Sequence, residues 1–283
     1  MIRAGVMGWP VAHSLSPRLH GYWLDHHAID GRYDALAVAP EGLAQQLASL
    51  AADGFAGVNL TVPHKQAALS LMASLSPAAR AIGAVNTVVV GADGALAGDN
   101  TDAFGFMENL RHGAPEWSAA SGPASGPAIV IGAGGAARAV CHGLLAAGAP
   151  EVRLINRTAA NAEALAAMDA ERITIPAWSA RAEALHEAAL LVNTTSLGMV
   201  SQPALDLDLA ALPPEALVND IVYAPLETPL LAAAKRRGNP VVDGLGMLLH
   251  QARPGFAAWF GVMPEVTPAL RAHVLADDTE SGP

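Results

Sequence analysis

Cysteine is almost absent: Cys141 is the only one, which excludes a disulfide framework. It falls in an alanine-rich helical stretch, so the thiol reads as buried and inert. Basic charge is scarce too. Sixteen Lys and Arg stand against 26 Asp and Glu, a formal charge of −10, and nucleic acid or an anionic membrane would require clustered cations. No apolar run reaches membrane-spanning length, and no basic stretch followed by a signal-type apolar core opens the chain. The expectation is a soluble cytoplasmic protein, monomer or homodimer. The ten histidines show no H-E-x-x-H and no paired-cysteine spacing accompanies them, so no metal is called for. No internal repeat is apparent. What is present is apolar residue in quantity, 52% of 283, enough for two domains that each bury a core.

The second half turns on Ala128-Ile129-Val130-Ile131-Gly132-Ala133-Gly134-Gly135-Ala136-Ala137-Arg138, a short apolar run that breaks into glycines and resumes as a helical pattern. This reads as strand, tight turn, helix. Gly132 makes the turn, Gly134 lets backbone N–H groups approach a pyrophosphate, and Ala137 fills the third small position of the G-x-G-x-x-G/A fingerprint. The helix N-terminus then faces the phosphates. A second apolar run, Val152 to Ile155, ends where an NAD-binding chain carries an acidic residue for the ribose 2′-OH. Here stand Asn156-Arg157-Thr158. With no carboxylate to repel a 2′-phosphate and a guanidinium to grip one, NADP is favoured; a solvated strand-end charge is the bland reading of Arg157.

The N-terminal half supplies other polar groups. Residues 2–8 read as a strand. Ser16 and Pro17 read as N-cap and first helical position, with Ser14 and Ser16 beside free N–H groups that suit a small carboxylate; plain capping is the bland reading of Ser16. Strands follow near 33–38 and 58–62, with a helix over 41–52 between them. The second strand presents Asn59 and Thr61 on one face before Pro63 ends it. Lys65 is expected to open the next helix, a poor place for a cation without an anionic partner; otherwise it is a flexible surface lysine. Val85 to Val90 pairs with 95–98 as a hairpin, and Asp102 begins a helix through Leu110, where capping is its bland reading. The stretch from His112 to Pro127 reads as a surface segment at the domain boundary.

From residue 128 strand and helix alternate, with strands near 128–132, 151–156, 172–176, 189–194, 217–222 and 240–243. That is the pattern of a doubly wound parallel sheet. The loops Asn193 to Met199 and Ile221 to Pro225 lie at strand carboxyl ends, where such sheets bind ligands. Gly244 turns into a helix with Met247 and Gln251. A last helix covers 267–275, and the residues beyond Asp277 are expected to fray.

Taken together, HSLSPRLH, GVNLTVPHK, GAVNT, GDNTDAFG, GAGGAAR, NRT, NTTSLGM, DIVYAPLETPLL and GLGMLLHQA resemble the shikimate dehydrogenase family in order and spacing, from about Gly8 to Gln251. The resemblance implies an α/β fold: an N-terminal substrate-binding domain over 1–105, with the helices of 247–283 packing back on it, and a Rossmann-like NADP domain over 106–246, with a cleft between them. It implies reversible NADPH-dependent reduction of 3-dehydroshikimate to shikimate, on the route to chorismate and the aromatic amino acids. Residue by residue, Lys65 and Asp102 would be the catalytic pair. Ser14, Ser16, Thr61, Asn86, Asp102, Tyr223 and Gln251 would bind substrate. Gly132, Ala133, Gly134, Gly135 and Ala136 would bind the pyrophosphate, Asn156, Arg157 and Thr158 the adenosine ribose phosphate, and Ile221, Gly244 and Met247 would border the nicotinamide.

Hydride transfer to a ketone builds negative charge on oxygen, so a proton donor within hydrogen-bond reach is needed, and Lys65 fits. Two positions depart from the family pattern. Gly21 follows His20 where many members have asparagine, and Asn161 stands where many NADP-using members carry a second arginine, leaving Arg157 alone on the phosphate. Rival readings are a dehydrogenase acting on quinate or an amino analogue of shikimate, and, more distantly, a non-catalytic NADP sensor. The sensor has no need of Lys65, Asp102 and the paired serines.

Overall fold

The computed structural model describes residues 1–120 and 126–276. The chain divides into two compact units, Met1–Thr101 with the chain from Gln251 on, and Asp102–His250.

The first unit contains β1 (Ile2–Gly8), α1 (Ser16–His26), β2 (Gly31–Ala37), α2 (Leu43–Ser49), β3 (Phe55–Leu60), β4 (Ser74–Leu75), α3 (Pro77–Ile82), β5 (Thr87–Val90) and β6 (Leu96–Asp99). Its sheet has the order β2-β1-β3-β5-β6-β4. β1 runs parallel to β2 and β3, whereas β5 is antiparallel to both β3 and β6. The sheet is thus parallel at one side; the expected β5–β6 hairpin follows, and β4, parallel to β6, forms the other edge. Met7, Val58, Leu60, Val85 and Val88 pack with Leu43, Leu47 and Leu50 into one buried cluster. Burying such aliphatic side chains contributes about 1.5–3 kcal/mol each before entropy is counted.

The second unit runs through α4 (Asp102–Gly113), β7 (Ala128–Ile131), α5 (Gly135–Ala146), β8 (Val152–Ile155), α6 (Ala159–Ala166), β9 (Ile173–Thr174), β10 (Leu190–Asn193), β11 (Leu217–Asp220), α7 (Pro229–Arg237) and β12 (Val241–Val242). The strand order is β12-β11-β10-β7-β8-β9 and every pair is parallel. This is the doubly wound sheet expected, with its topological switch point between β7 and β10. Buried clusters lie on both of its faces. One gathers Val130, Val140, Leu144 and Leu154 with Phe106 and Leu110 of α4; the other gathers Ile129, Ile131, Leu191 and Val218 with Leu230 and Leu231 of α7. Alternate residues of one strand feed opposite clusters, as the period of two requires.

Among the described residues two helices remain: α8 (Leu245–Phe260), within which the boundary between units falls, and α9 (Pro268–Leu275). Thr267 Oγ1 accepts the Leu270 N–H at 3.1 Å and so caps α9. Arg18 of α1 donates to the Val274 carbonyl at 3.2 Å, which docks α9 on α1.

Three local expectations change. Ser16 is inside α1, and Leu15 occupies the N-cap; the side-chain support comes from Ser14, whose Oγ accepts the Ser16 N–H at 3.3 Å. Lys65 lies in a turn, and the helix after it is only a five-residue 3₁₀ segment from Ala67 to Leu71. So short a helix has little dipole, and Lys65 does not stand at a strongly positive helix end. The stretch 112–127 is not simply surface, although its residues 121–125 lie outside the described residues. Ala119 is buried in a core cluster, and Trp117 packs on that cluster and donates its indole N–H to the Ala189 carbonyl at 3.3 Å. An indole's apolar area outweighed the Gly, Pro and Ser around it. The expected fraying beyond Asp277 also falls outside the described residues.

Candidate active site

In the first unit, polar side chains from distant stretches form one buried network. Asn86, just before β5, is its hub. Its Oδ1 accepts from the Thr101 N–H at 2.9 Å and from Thr87 Oγ1 at 2.9 Å, while its Nδ2 donates to Thr101 Oγ1 at 3.0 Å and to Gln251 Oε1 at 3.3 Å. Asn59 of β3 donates to the Asn86 carbonyl at 3.0 Å and to Thr87 Oγ1 at 3.1 Å. It accepts from the Tyr33 hydroxyl at 2.7 Å, and that phenol also takes a hydrogen bond from Ser16. Burial pushes the Tyr33 phenol well above its ordinary range, so it remains a neutral donor.

Thr61 and Lys65 border this network through the backbone. The Thr61 N–H donates to Met7 O at 2.9 Å, and the Lys65 carbonyl accepts the Val85 N–H at 2.7 Å. The turn bearing Lys65 is therefore tied to the residue next to Asn86. Within it His64, almost wholly buried, has Nε2 2.8 Å from the Val38 carbonyl. A carbonyl only accepts, so that nitrogen carries the proton. Asn59 and Thr61 were visible in the sequence as polar positions on one strand face. Tyr33, Thr87 and Thr101 carried no such mark, because nothing in the local sequence tells a buried hydroxyl from an exposed one.

In the second unit a cavity of about 420 Å³ lies at the carboxyl end of the sheet. Gly132, Ala133 and Gly134 form one side, Asn156 and Arg157 another, and the loop from Thr194 to Leu197 a third. Gly132 has φ +111°, and a Cβ there would meet Thr194 Oγ1 at 2.7 Å, so both conformation and space demand glycine. Gly134 is the N-cap of α5, with no side-chain cap. Around Gly134 and Gly135 a Cβ would find nothing within 4 Å. Open space before uncapped N–H groups at a helix start suits a phosphate. Among the described residues no carboxylate lines this cavity, and Arg157 is exposed at its edge. The donor set fits a dinucleotide with an additional phosphate. Gly135, Ala136 and Thr158 are not among the lining residues; Thr158 is the N-cap of α6, and its carbonyl accepts from Asn156 Nδ2 at 2.8 Å.

The strand ends beside the cavity are held by a buried carboxylate. Asp220 closes β11 with no solvent exposure and accepts from Asn193 Nδ2 at 3.0 Å, the Val222 N–H at 3.0 Å and Thr228 Oγ1 at 2.7 Å. Asn193 in turn binds the Thr195 hydroxyl at 2.7 Å and the Leu197 carbonyl at 3.0 Å. Burial raises the Asp220 pKa, against the lowering effect of these donors. Beyond it, Ile221 and Gly244 touch: a Cβ on Gly244 would meet Ile221 O at 2.3 Å. Met247 is buried in the cluster against which Ile221 packs. Tyr223 is half-buried, and burial raises its phenol. Sequence reasoning gave the 194–197 loop a place but no partner; the signal was Asp220 followed eight residues on by Thr228.

Among the described residues no helix is long and apolar enough to cross a membrane. Family models match the chain twice: the shikimate dehydrogenase substrate binding domain over residues 6–88, and shikimate / quinate 5-dehydrogenase over residues 120–201. The NADP(+) shikimate dehydrogenase of Rhodospirillum rubrum is 63% identical over 276 residues, covering 96% of each chain. This chain is a member of the shikimate dehydrogenase family. Among solved structures, the shikimate 5-dehydrogenase of Thermus thermophilus, in complex with NADP(H) and shikimate, is 41% identical with a TM-score of 0.85, covering 97% of this chain and 98% of that one. The quinate dehydrogenase of Corynebacterium glutamicum, in complex with NAD, is 30% identical with a TM-score of 0.89 over the same shares.

Proposed function

We propose that this family member is an NADP-dependent shikimate dehydrogenase, reversibly reducing 3-dehydroshikimate to shikimate on the route to chorismate and the aromatic amino acids. One observation carries the reading: a cavity at the sheet's switch point has glycines with open space on one side, Arg157 on another and no carboxylate among its described lining residues. A 2′-phosphate is welcomed there, whereas the acid that would hold a free 2′-OH is missing. The near full-length likeness to NADP(+) shikimate dehydrogenases supports the same cofactor.

NADPH, when bound, supplies the hydride. The chain's own residues then have separate tasks. Gly132 to Ala136 take the pyrophosphate, Asn156, Arg157 and Thr158 the ribose phosphate, and Ile221, Gly244 and Met247 border the nicotinamide. Ser14 and Ser16 take the substrate carboxylate, while Thr61, Asn86, Asp102, Tyr223 and Gln251 take its hydroxyls. Lys65 Nζ gives a proton to the oxygen that becomes negative and, in reverse, accepts it from the hydroxyl; Asp102 is the carboxylate of the catalytic pair. The buried network behind Asn86 supports this reading, since it orients amide and hydroxyl groups with little reorganisation left to do.

The same reading puts the enzyme in the cytoplasm, as monomer or homodimer. Shikimate-dependent reduction of NADP by the purified chain tests it directly; no turnover with bound NADP would refute it. The quinate dehydrogenase likeness keeps quinate as second substrate, and relative oxidation rates of shikimate and quinate with each cofactor decide between them.

A further inference from the structure

One wall of the nucleotide cavity is an aromatic ring for which none of the tasks above has a use. Trp178 lines it together with Asn156 and Arg157, and it packs against the buried cluster on that side of the sheet. It opens a short 3₁₀ turn, Trp178–Ala180. The guanidinium of Arg181 lies over the indole, 4.9 Å from the ring centroid, and donates to the Trp178 carbonyl at 3.2 Å. Arg181 is fixed in turn by Asp206, through the carboxylate at 2.7 Å and the backbone carbonyl at 2.9 Å. The ring is thus immobilised by core packing, a cation–π contact and a backbone brace. Ring, cation and carboxylate come from two separate loops, and holding a half-buried indole this firmly has a use if something flat is to lie against it.

The chemistry of the cofactor says what that is. In NADP the base and the 2′-phosphate leave neighbouring carbons of one ribose, so a wall that grips the phosphate through Arg157 has the base close by. We propose that Trp178 receives the adenine ring of the cofactor, on a surface held ready by Arg181 and Asp206. Preordering matters because a fixed platform loses no rotamer freedom on binding. It also supplies affinity that does not depend on charge, in a chain where Asn161 replaces a second cation on the phosphate side.

The inference rests on the NADP reading of the cavity, and fragments of the cofactor separate the two. The probes are 2′,5′-ADP, which has base and phosphates, and the base-free ribose 2,5-bisphosphate, each measured as a competitive inhibitor against NADP. Trp178→Ala should weaken 2′,5′-ADP about tenfold, the size of one base–aromatic stack, and leave the base-free fragment unchanged. Equal loss of both fragments, or no loss of either, overturns the proposal. If that variant does not fold, Trp178→Phe serves: 2′,5′-ADP should quench indole emission in the wild type, and the quench should vanish in the variant while affinity stays within about threefold. A quench that persists overturns the proposal as well. Wild-type protein that binds neither NADPH nor 2′,5′-ADP would instead refute the NADP reading itself.

Discussion

The amide of Asn86 donates to Gln251 Oε1 at 3.3 Å across 165 positions of sequence. Thr101 Oγ1 reaches the same oxygen at 3.4 Å. Gln251 therefore serves this network as an acceptor, through Oε1. Replacing Gln251 by Leu removes the whole amide, both the acceptor of this network and the group proposed to meet a substrate hydroxyl. The expected result is a KM for shikimate raised about 5- to 50-fold, the range for losing one hydrogen bond to a ligand, with the KM for NADP little changed. Steady-state kinetics with each substrate varied in turn would show it.

A second relationship in the same unit tests packing. A Cβ on Gly57 would stand 2.2 Å from the indole nitrogen of Trp259 and 2.1 Å from the Val88 carbonyl, and those two atoms are themselves bonded at 3.0 Å. The helix α8 is fastened to the sheet at this point. Gly57→Ala forces ring and strand apart and should cost about 2–3 kcal/mol, within the range for overpacking a core. A denaturation midpoint equal to wild type would show that the ring can retreat freely.

How much of this was legible beforehand follows from the range of each interaction. The doubly wound sheet was readable because its evidence is local: apolar runs, glycine turns and spacing along the chain. Gly132 and Arg157 were readable for the same reason. The start of α1 was misjudged by a single residue: Ser14, not Ser16, supplies the hydroxyl that accepts an N–H there, and only geometry tells the two apart. Lys65 was assigned to a helix that proved to be a 3₁₀ turn, because the helical pattern of 67–71 is too short to reveal its type. Tyr33 and Thr101 bond to partners far off in sequence, and no periodicity reports such a meeting.

Lys65 is half-buried, and its backbone carbonyl, not its side chain, makes the bond to Val85. Truncating the side chain leaves that bond in place. Lys65→Ala should therefore fold normally, lower turnover by roughly 10²–10⁴-fold and leave substrate affinity nearly intact, as expected when a proton-transfer group alone is lost. Turnover at wild-type level would remove Lys65 from the chemistry.

His20 is fully buried, stacked on Tyr33 with centroids 3.8 Å apart, and neither ring nitrogen has a hydrogen-bond partner among the described residues. Burial lowers its pKa from 6.5 to about 3. The unfolded chain then binds a proton that the native state refuses, so stability is full above pH 6.5 and falls as pH drops towards 3. The loss at pH 5 is about 2 kcal/mol. His20→Phe has no such proton to take up, and the wild type should lose ground to it by that amount between pH 7 and pH 5 in urea titrations. A pH-independent difference would mean that the imidazole is not buried and neutral.

Asp220 predicts the opposite sign. Its burial raises the carboxyl pKa above 3.8, so the native state holds a proton that the unfolded chain has already released. Its contribution is therefore most favourable below the ordinary value and is lost as pH rises through the folded one. Asp220→Asn preserves an acceptor for Asn193 and Val222 and can offer its NH₂ to Thr228 Oγ1, but it does not titrate. The wild type should accordingly gain on this variant as pH falls from 7 towards 4, a trend contrary to that of His20. The carboxylate's second consequence is kinetic. Asn193 links Asp220 to Thr195 and Leu197, both of which line the nucleotide cavity, so Asp220→Ala should raise the KM for NADP more than the KM for shikimate. If both constants moved together, the clamp would hold the unit as a whole and not the loop in particular.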